Sequence, residues 1–72
     1  MKAQLAILGA GNMAEAIVRG VLASCVYTPA NILACDPSPA RRALFQEQLC
    51  IATSDDPREV VDAEVILLSV KP

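Results

Sequence analysis

Apolar and polar positions along this chain switch period repeatedly, and each switch predicts an element boundary. Residues 3 to 8, Ala-Gln-Leu-Ala-Ile-Leu, are a nearly continuous apolar run of the kind found inside parallel sheets. From Met13 to Ser24 the apolar positions fall at Ala14, Ile17, Val18, Val21 and Leu22, the spacing of a helix with one buried face. After a turn at residues 27 to 31 comes a second short strand, Asn-Ile-Leu-Ala-Cys, at 31 to 35. Ser38-Pro39 reads as a helix cap followed by a proline in the first turn. That helix is expected to reach Leu49, with a thin apolar face of Ala40, Leu44 and Phe45. Residues 51 to 53, Ile-Ala-Thr, predict a weak third strand. Asp56-Pro57-Arg58-Glu59 has the form of a capping box and starts a short helix ending near Ala63. Residues 65 to 70 are an uninterrupted apolar strand halted by Lys71-Pro72.

The order βαβαβαβ predicts a parallel sheet with right-handed crossovers. In the strand order 3-2-1-4 it is the first half, and a little more, of a Rossmann-like doubly wound α/β fold. The fourth strand shows no alternation and expects cover on both faces, yet in this order it is an open edge. Residues 1 to 72 are therefore expected to be the N-terminal part of a larger dinucleotide-binding domain, with further strands after Pro72.

Two of the chain's three glycines fall in one corner, Gly9-Ala10-Gly11-Asn12-Met13-Ala14. This is G-x-G-x-x-A between a predicted strand and a predicted helix, the context in which the dinucleotide fingerprint has meaning. Gly9 permits the sharp turn, Gly11 lets a pyrophosphate approach the backbone, and Ala14 lets the helix pack closely on the first strand. The free N–H groups at the helix start, reinforced by the helix dipole, would hold the phosphates. Asp36, 22 residues after Ala14 at the predicted end of strand two, is placed to accept hydrogen bonds from the adenosine ribose hydroxyls and to repel a 2′-phosphate. Arg41 and Arg42 follow closely and read equally as phosphate ligands or as solvated surface charges. Gly20, late in the first helix, is expected to serve close helix packing.

Composition narrows the partners. The chain is 54% hydrophobic with a net charge of −2, and its basic residues, Lys2, Arg19, Arg41, Arg42, Arg58 and Lys71, are scattered. Neither a basic stripe nor an aromatic platform is present, which argues against nucleic acid. No apolar run is long enough to span a membrane and no signal-peptide pattern opens the chain, so a soluble cytoplasmic protein is expected. Cys25, Cys35 and Cys50 lack C-x-x-C spacing and the chain has no His, so no metal site is expected and the thiols read as reduced structural residues. Cys25 and Cys50 follow predicted helix ends where glycine is usual. A left-handed backbone at either would cost about 1 kcal/mol relative to Gly.

"ILGAGNMAEAIVRG", "DPSPARR" and "VILLSVKP" together resemble the N-terminal segment of the pyrroline-5-carboxylate reductase family, along nearly the whole chain. The resemblance implies an enzyme that reduces the C=N bond of 1-pyrroline-5-carboxylate to L-proline, in proline biosynthesis, with hydride from NADPH or NADH. By position it implies pyrophosphate contacts from Leu8, Gly9, Ala10, Gly11, Asn12 and Met13, with Asp36 at the adenosine ribose and Asp56 near the adenine. Ser69, Val70, Lys71 and Pro72 would form a loop beside the nicotinamide-side ribose. It further implies a C-terminal helical domain, absent here, that supplies homo-oligomer contacts and the imine pocket. Asp36 stands where the family often has a small hydroxyl or amide residue, which tilts the cofactor toward NAD over NADP. No catalytic residue is assigned within the 72 residues; Tyr27 and Glu15 are poor candidates for a proton donor. Other readings are a different oxidoreductase of the 6-phosphogluconate-dehydrogenase-like group, a non-catalytic nucleotide sensor, and a structural fragment that binds nothing.

Overall fold

A computed structural model of the chain describes residues 3–69. Strands β1 (Leu5–Leu8), β2 (Ile32–Cys35), β3 (Ala52–Ser54) and β4 (Val65–Leu68) form one parallel sheet in the order β3-β2-β1-β4. Helices α1 (Asn12–Ala23) and α2 (Pro39–Leu49) make the first two crossovers, and a 3-10 turn, Pro57–Val60, makes the third. This is the predicted topology, a half Rossmann-like sheet whose direction of growth reverses between β1 and β4.

The two faces are covered by different elements. Leu5 and Ile7 of β1, with Ile32 and Ala34 of β2, meet Ala14 and Val18 of α1 and Phe45 and Leu49 of α2 in one cluster. The alternate residues Ala6, Leu33 and Cys35 pack with Ala3 and with Val60 of the 3-10 turn on the other face. Strand alternation thus directs the helices to one side and the third crossover to the other. Phe45 is the largest fully buried side chain. Removing it would cost about 3–5 kcal/mol, a large share of what a domain this small can hold.

Local chemistry sets the boundaries. Ser38 caps α2 through its Oγ, which accepts from the Arg41 N–H at 3.4 Å, with Pro39 in the first turn. At its far end Cys50 takes up the left-handed conformation, φ 58° and ψ 35°, and the Ile51 N–H returns to the Phe45 carbonyl at 3.1 Å. Cys25, just past α1, is also left-handed at φ 60°. Both cysteines therefore carry the backbone strain expected of a non-glycine residue after a helix.

Several expectations are corrected. Ile17, placed on the buried face of α1, is 38% exposed, and the face that reaches the core is Ala14 and Val18. Ala40 is exposed, and the apolar face of α2 is Phe45 and Leu49 with Leu44 half-buried. Gly20 serves no close packing, since a Cβ added there meets nothing within 4 Å. The helix expected after Asp56 is a single 3-10 turn. Its capping box is rearranged: the Asp56 carboxylate accepts the Arg58 N–H at 3.0 Å, while Glu59 bonds Ser54 Oγ, which in turn accepts the Asp56 N–H. Ser54 thus stands where a direct Glu59 contact is expected. In β4, Val65, Ile66 and Leu68 are exposed, so the cover expected on both faces is absent among the described residues.

Candidate functional site

Where the sheet order reverses, the carboxyl ends of β1, β2 and β4 part to leave a cleft of about 910 Å³. Leu8, Gly9, Gly11, Asn12 and Met13 line it from the glycine corner, Cys35, Asp36, Pro37 and Arg41 from the β2–α2 side, Asp55 and Pro57 from the third crossover, and Leu68 and Ser69 from β4. The size is that of a small-molecule or cofactor site, and its place at a switch point is where open α/β sheets receive ligands.

The corner is built by backbone conformation first. Gly9 has φ 102°, a region that side chains disfavour, and its N–H donates to the Cys35 carbonyl at 2.8 Å. Gly11 is the cap residue of α1 in extended conformation, with no side-chain cap. A Cβ there would meet nothing within 4 Å, so the space over Gly11 is open. The first main-chain bond of the helix runs from Glu15 N–H to the Gly11 carbonyl at 3.0 Å. Among the described residues the N–H groups of Gly11, Asn12, Met13 and Ala14 therefore have no acceptor. They form the positive end of a twelve-residue helix beside the cleft, a site suited to an anion.

Charged side chains fasten the corner from below. Asp36 Oδ2 accepts the Ala10 N–H at 2.7 Å and Oδ1 accepts the Ser38 N–H at 2.8 Å. Each oxygen retains a lone pair for a further donor. Arg41 Nε donates to the Ala10 carbonyl at 2.6 Å, and its Nη2 donates to Glu15 Oε1 at 3.0 Å. Its guanidinium carbon lies 6.0 Å from the centre of the Phe45 ring. Arg19 holds the other Glu15 oxygen at 3.0 Å. Together Arg19 and Arg41 keep the Glu15 carboxyl below its ordinary range. Burial pushes the Cys35 thiol up, and the carboxylates of Asp56, Asp36, Glu59 and Asp55 push it the same way.

Measured against the predicted set, Leu8, Gly9, Gly11, Asn12, Met13, Asp36 and Ser69 come together around the cleft. Ala10 is fully buried and takes part through its main chain alone. Asp56 does not line the cleft. Its side chain turns to Arg58, whose Nη2 donates to Oδ2 at 2.9 Å and holds the carboxyl below its usual range, and the neighbours Asp55 and Pro57 face the cleft instead. Val70, Lys71 and Pro72 lie outside the described residues. Arg41 is half-buried and held by the Ala10 carbonyl and Glu15, and Arg42 spends its Nη1 on the Asp36 carbonyl at 2.8 Å. Sequence reasoning missed Pro37, Asp55 and Pro57. Their signal was proximity to the strand ends, which a pattern of apolar spacing does not carry.

The corner, the acid at the end of β2 and the reversal of strand order are those of a Rossmann-like half-sheet of the dinucleotide-binding type. The chain belongs to the family described as NADP oxidoreductase coenzyme F420-dependent, whose model matches residues 4–72. Over its full length it is 41% identical to a pyrroline-5-carboxylate reductase of Synechocystis, covering 27% of that protein. With that of Vibrio alginolyticus it shares 44% identity, over 96% of this chain and 25% of the relative. A solved pyrroline-5-carboxylate reductase from Coxiella burnetii superimposes with a TM-score of 0.89 at 33% identity, covering all of this chain and 27% of that one. The resemblance read from the sequence is thus borne out, and the chain spans about a quarter of the length of these relatives. No helix among the described residues is long and apolar enough to cross a membrane, and no group of metal-ligating side chains is present among them.

Proposed function

We propose that the chain is the nicotinamide-nucleotide-binding segment of a pyrroline-5-carboxylate reductase, which reduces the C=N bond of 1-pyrroline-5-carboxylate to L-proline. The observation that carries this reading is the row of unpartnered N–H groups from Gly11 to Ala14, opening beside a cleft with clear space over Gly11. A diphosphate matches that row in charge and in hydrogen-bond sense. The ribose next to it would meet Asp36, which has lone pairs to spare, and the opposite end of the nucleotide would extend past Leu68 and Ser69.

The nucleotide supplies hydride; this chain's residues bind and orient it. Gly9 shapes the turn, the helix end holds the phosphates, and Leu8 and Leu68 give the cleft apolar walls. This reading assigns the proton donor to the imine to none of the described side chains. The imine pocket and the contacts of a homo-oligomer would belong to parts of the enzyme beyond this segment.

The test is a titration of the 72-residue chain with NADPH and with NADH, following the backbone amides of Gly9 to Ala14 by NMR. Shifts concentrated on those amides at up to millimolar ligand are expected. Gly11→Val should fold as the parent does, since a Cβ there meets nothing within 4 Å, and should lose those shifts. Absence of any shift in the parent chain would favour a turn that binds nothing. Reductase assays of this segment alone should be blank.

A further inference from the structure

Asp36 and Arg41 grip Ala10 from both sides, one accepting its N–H at 2.7 Å and the other donating to its carbonyl at 2.6 Å. Both side chains also line the cleft. Arg41 is not free to turn toward a ligand, because its Nη2 is held by Glu15 at 3.0 Å. Glu15 does not line the cleft; it stands in the first turn of α1, steadied on its other oxygen by Arg19.

We infer that Glu15, acting through Arg41, sets which nucleotide the cleft takes, favouring a free ribose 2′-hydroxyl over a 2′-phosphate. The inference rests on the nucleotide reading above and adds a positioning residue to it. Ribose hydroxyls need acceptors, and each Asp36 oxygen keeps a lone pair after its main-chain bond, so nothing has to move. A 2′-phosphate beside Asp36 needs a cation to offset the repulsion. Among the described residues lining the cleft, Arg41 is the cation. The Nε–Nη2 edge of its guanidinium turns to a phosphate only by leaving Glu15 or the Ala10 carbonyl. Glu15 and the phosphate therefore compete for the same donors, while the hydroxyl form leaves the clamp intact.

The experiment measures dissociation constants for NADPH and NADH by amide-shift titration of the 72-residue chain. Four forms are compared: the parent, Glu15→Gln, Arg41→Gln and the double variant. Glu15→Gln should raise the affinity for NADPH relative to NADH by roughly three- to tenfold. In the Arg41→Gln background the same change should leave the ratio where it was. A residue that merely supported the fold would weaken both nucleotides alike. An unchanged ratio in Glu15→Gln with both nucleotides still bound overturns the inference and leaves the nucleotide reading standing. So does an equal rise in the Arg41→Gln background, which would report a general effect of charge. Failure of the parent chain to bind either nucleotide overturns both. Should Glu15→Gln not fold, Glu15→Asp carries the test: its shorter carboxylate retreats from Arg41, a smaller rise in the same direction is expected, and no rise overturns the inference.

Discussion

Replacing Cys50 with glycine should stabilise the chain, and the gain follows from one pair of angles. Cys50 ends α2 at φ 58° and ψ 35°, its side chain is exposed, and the bonds that close the helix, from the Cys50 and Ile51 N–H groups to the Phe45 carbonyl, come from main chain alone. A residue with a Cβ loses about 1–2 kcal/mol in that conformation. Glycine escapes the loss but gives back about 0.5–1 kcal/mol through the greater freedom of its unfolded chain. The net gain is about 0.5–1 kcal/mol, or about 2–8 °C in midpoint for a domain of this size. Thermal unfolding followed by far-UV circular dichroism, with urea unfolding at fixed temperature, measures it. Cys50→Ala is the control: it removes the thiol but keeps the Cβ, and should lie within a few tenths of a kcal/mol of the parent. Equal stabilisation by Ala and Gly would refute the reasoning, because the benefit would then come from losing sulfur and not from relieving the backbone.

Other outcomes follow from the same structure. Gly20→Ala should raise stability by about 0.5–1 kcal/mol, as the new methyl meets no neighbour within 4 Å and the helix gains propensity; urea unfolding checks it. Thiol labelling in the folded state should modify the exposed Cys25 and Cys50 readily and spare Cys35, which is 3% exposed and has its thiol pushed up by burial, with full labelling only in denaturant. Because Arg19 and Arg41 hold the Glu15 carboxyl below its ordinary 4.5, its contribution to stability is fully present above that pH and fades as pH falls through the lowered folded value. The stability difference between parent and Glu15→Gln should therefore shrink on acidification from pH 6 toward about pH 3, and a difference that grew instead would contradict the assigned ion pairs.

How much of this was legible beforehand depends on the range of the forces involved. Ser38-Pro39, Gly9 and Gly11 act within a few residues of themselves, and the α2 start and the glycine corner fall where the sequence places them. The period of apolar residues located every strand to within two residues of its observed ends, because sheet faces are set by alternation. Ile17 and Ala40 were misjudged for the opposite reason: burial of a helical residue depends on what lies under it, a tertiary matter that spacing alone does not carry. Asp56 turns from the cleft lining because Arg58, two residues on, captures it, a choice between neighbouring charges that spacing does not decide. Arg41 stood undecided between surface and ligand, and its actual place, across 31 residues from Ala10 and 26 from Glu15, is a tertiary fact.

The sheet has unlike margins. Along β3 the outer rim is only three residues long, Ala-Thr-Ser, with polar side chains on Thr53 and Ser54. Along β4 the rim is Val-Ile-Leu-Leu, mostly bare. A strand seeking partners finds a blunted border on one flank and an inviting one on the other. Addition to this sheet is favoured past β4, on the same side of β1 as the reversal that opens the cleft.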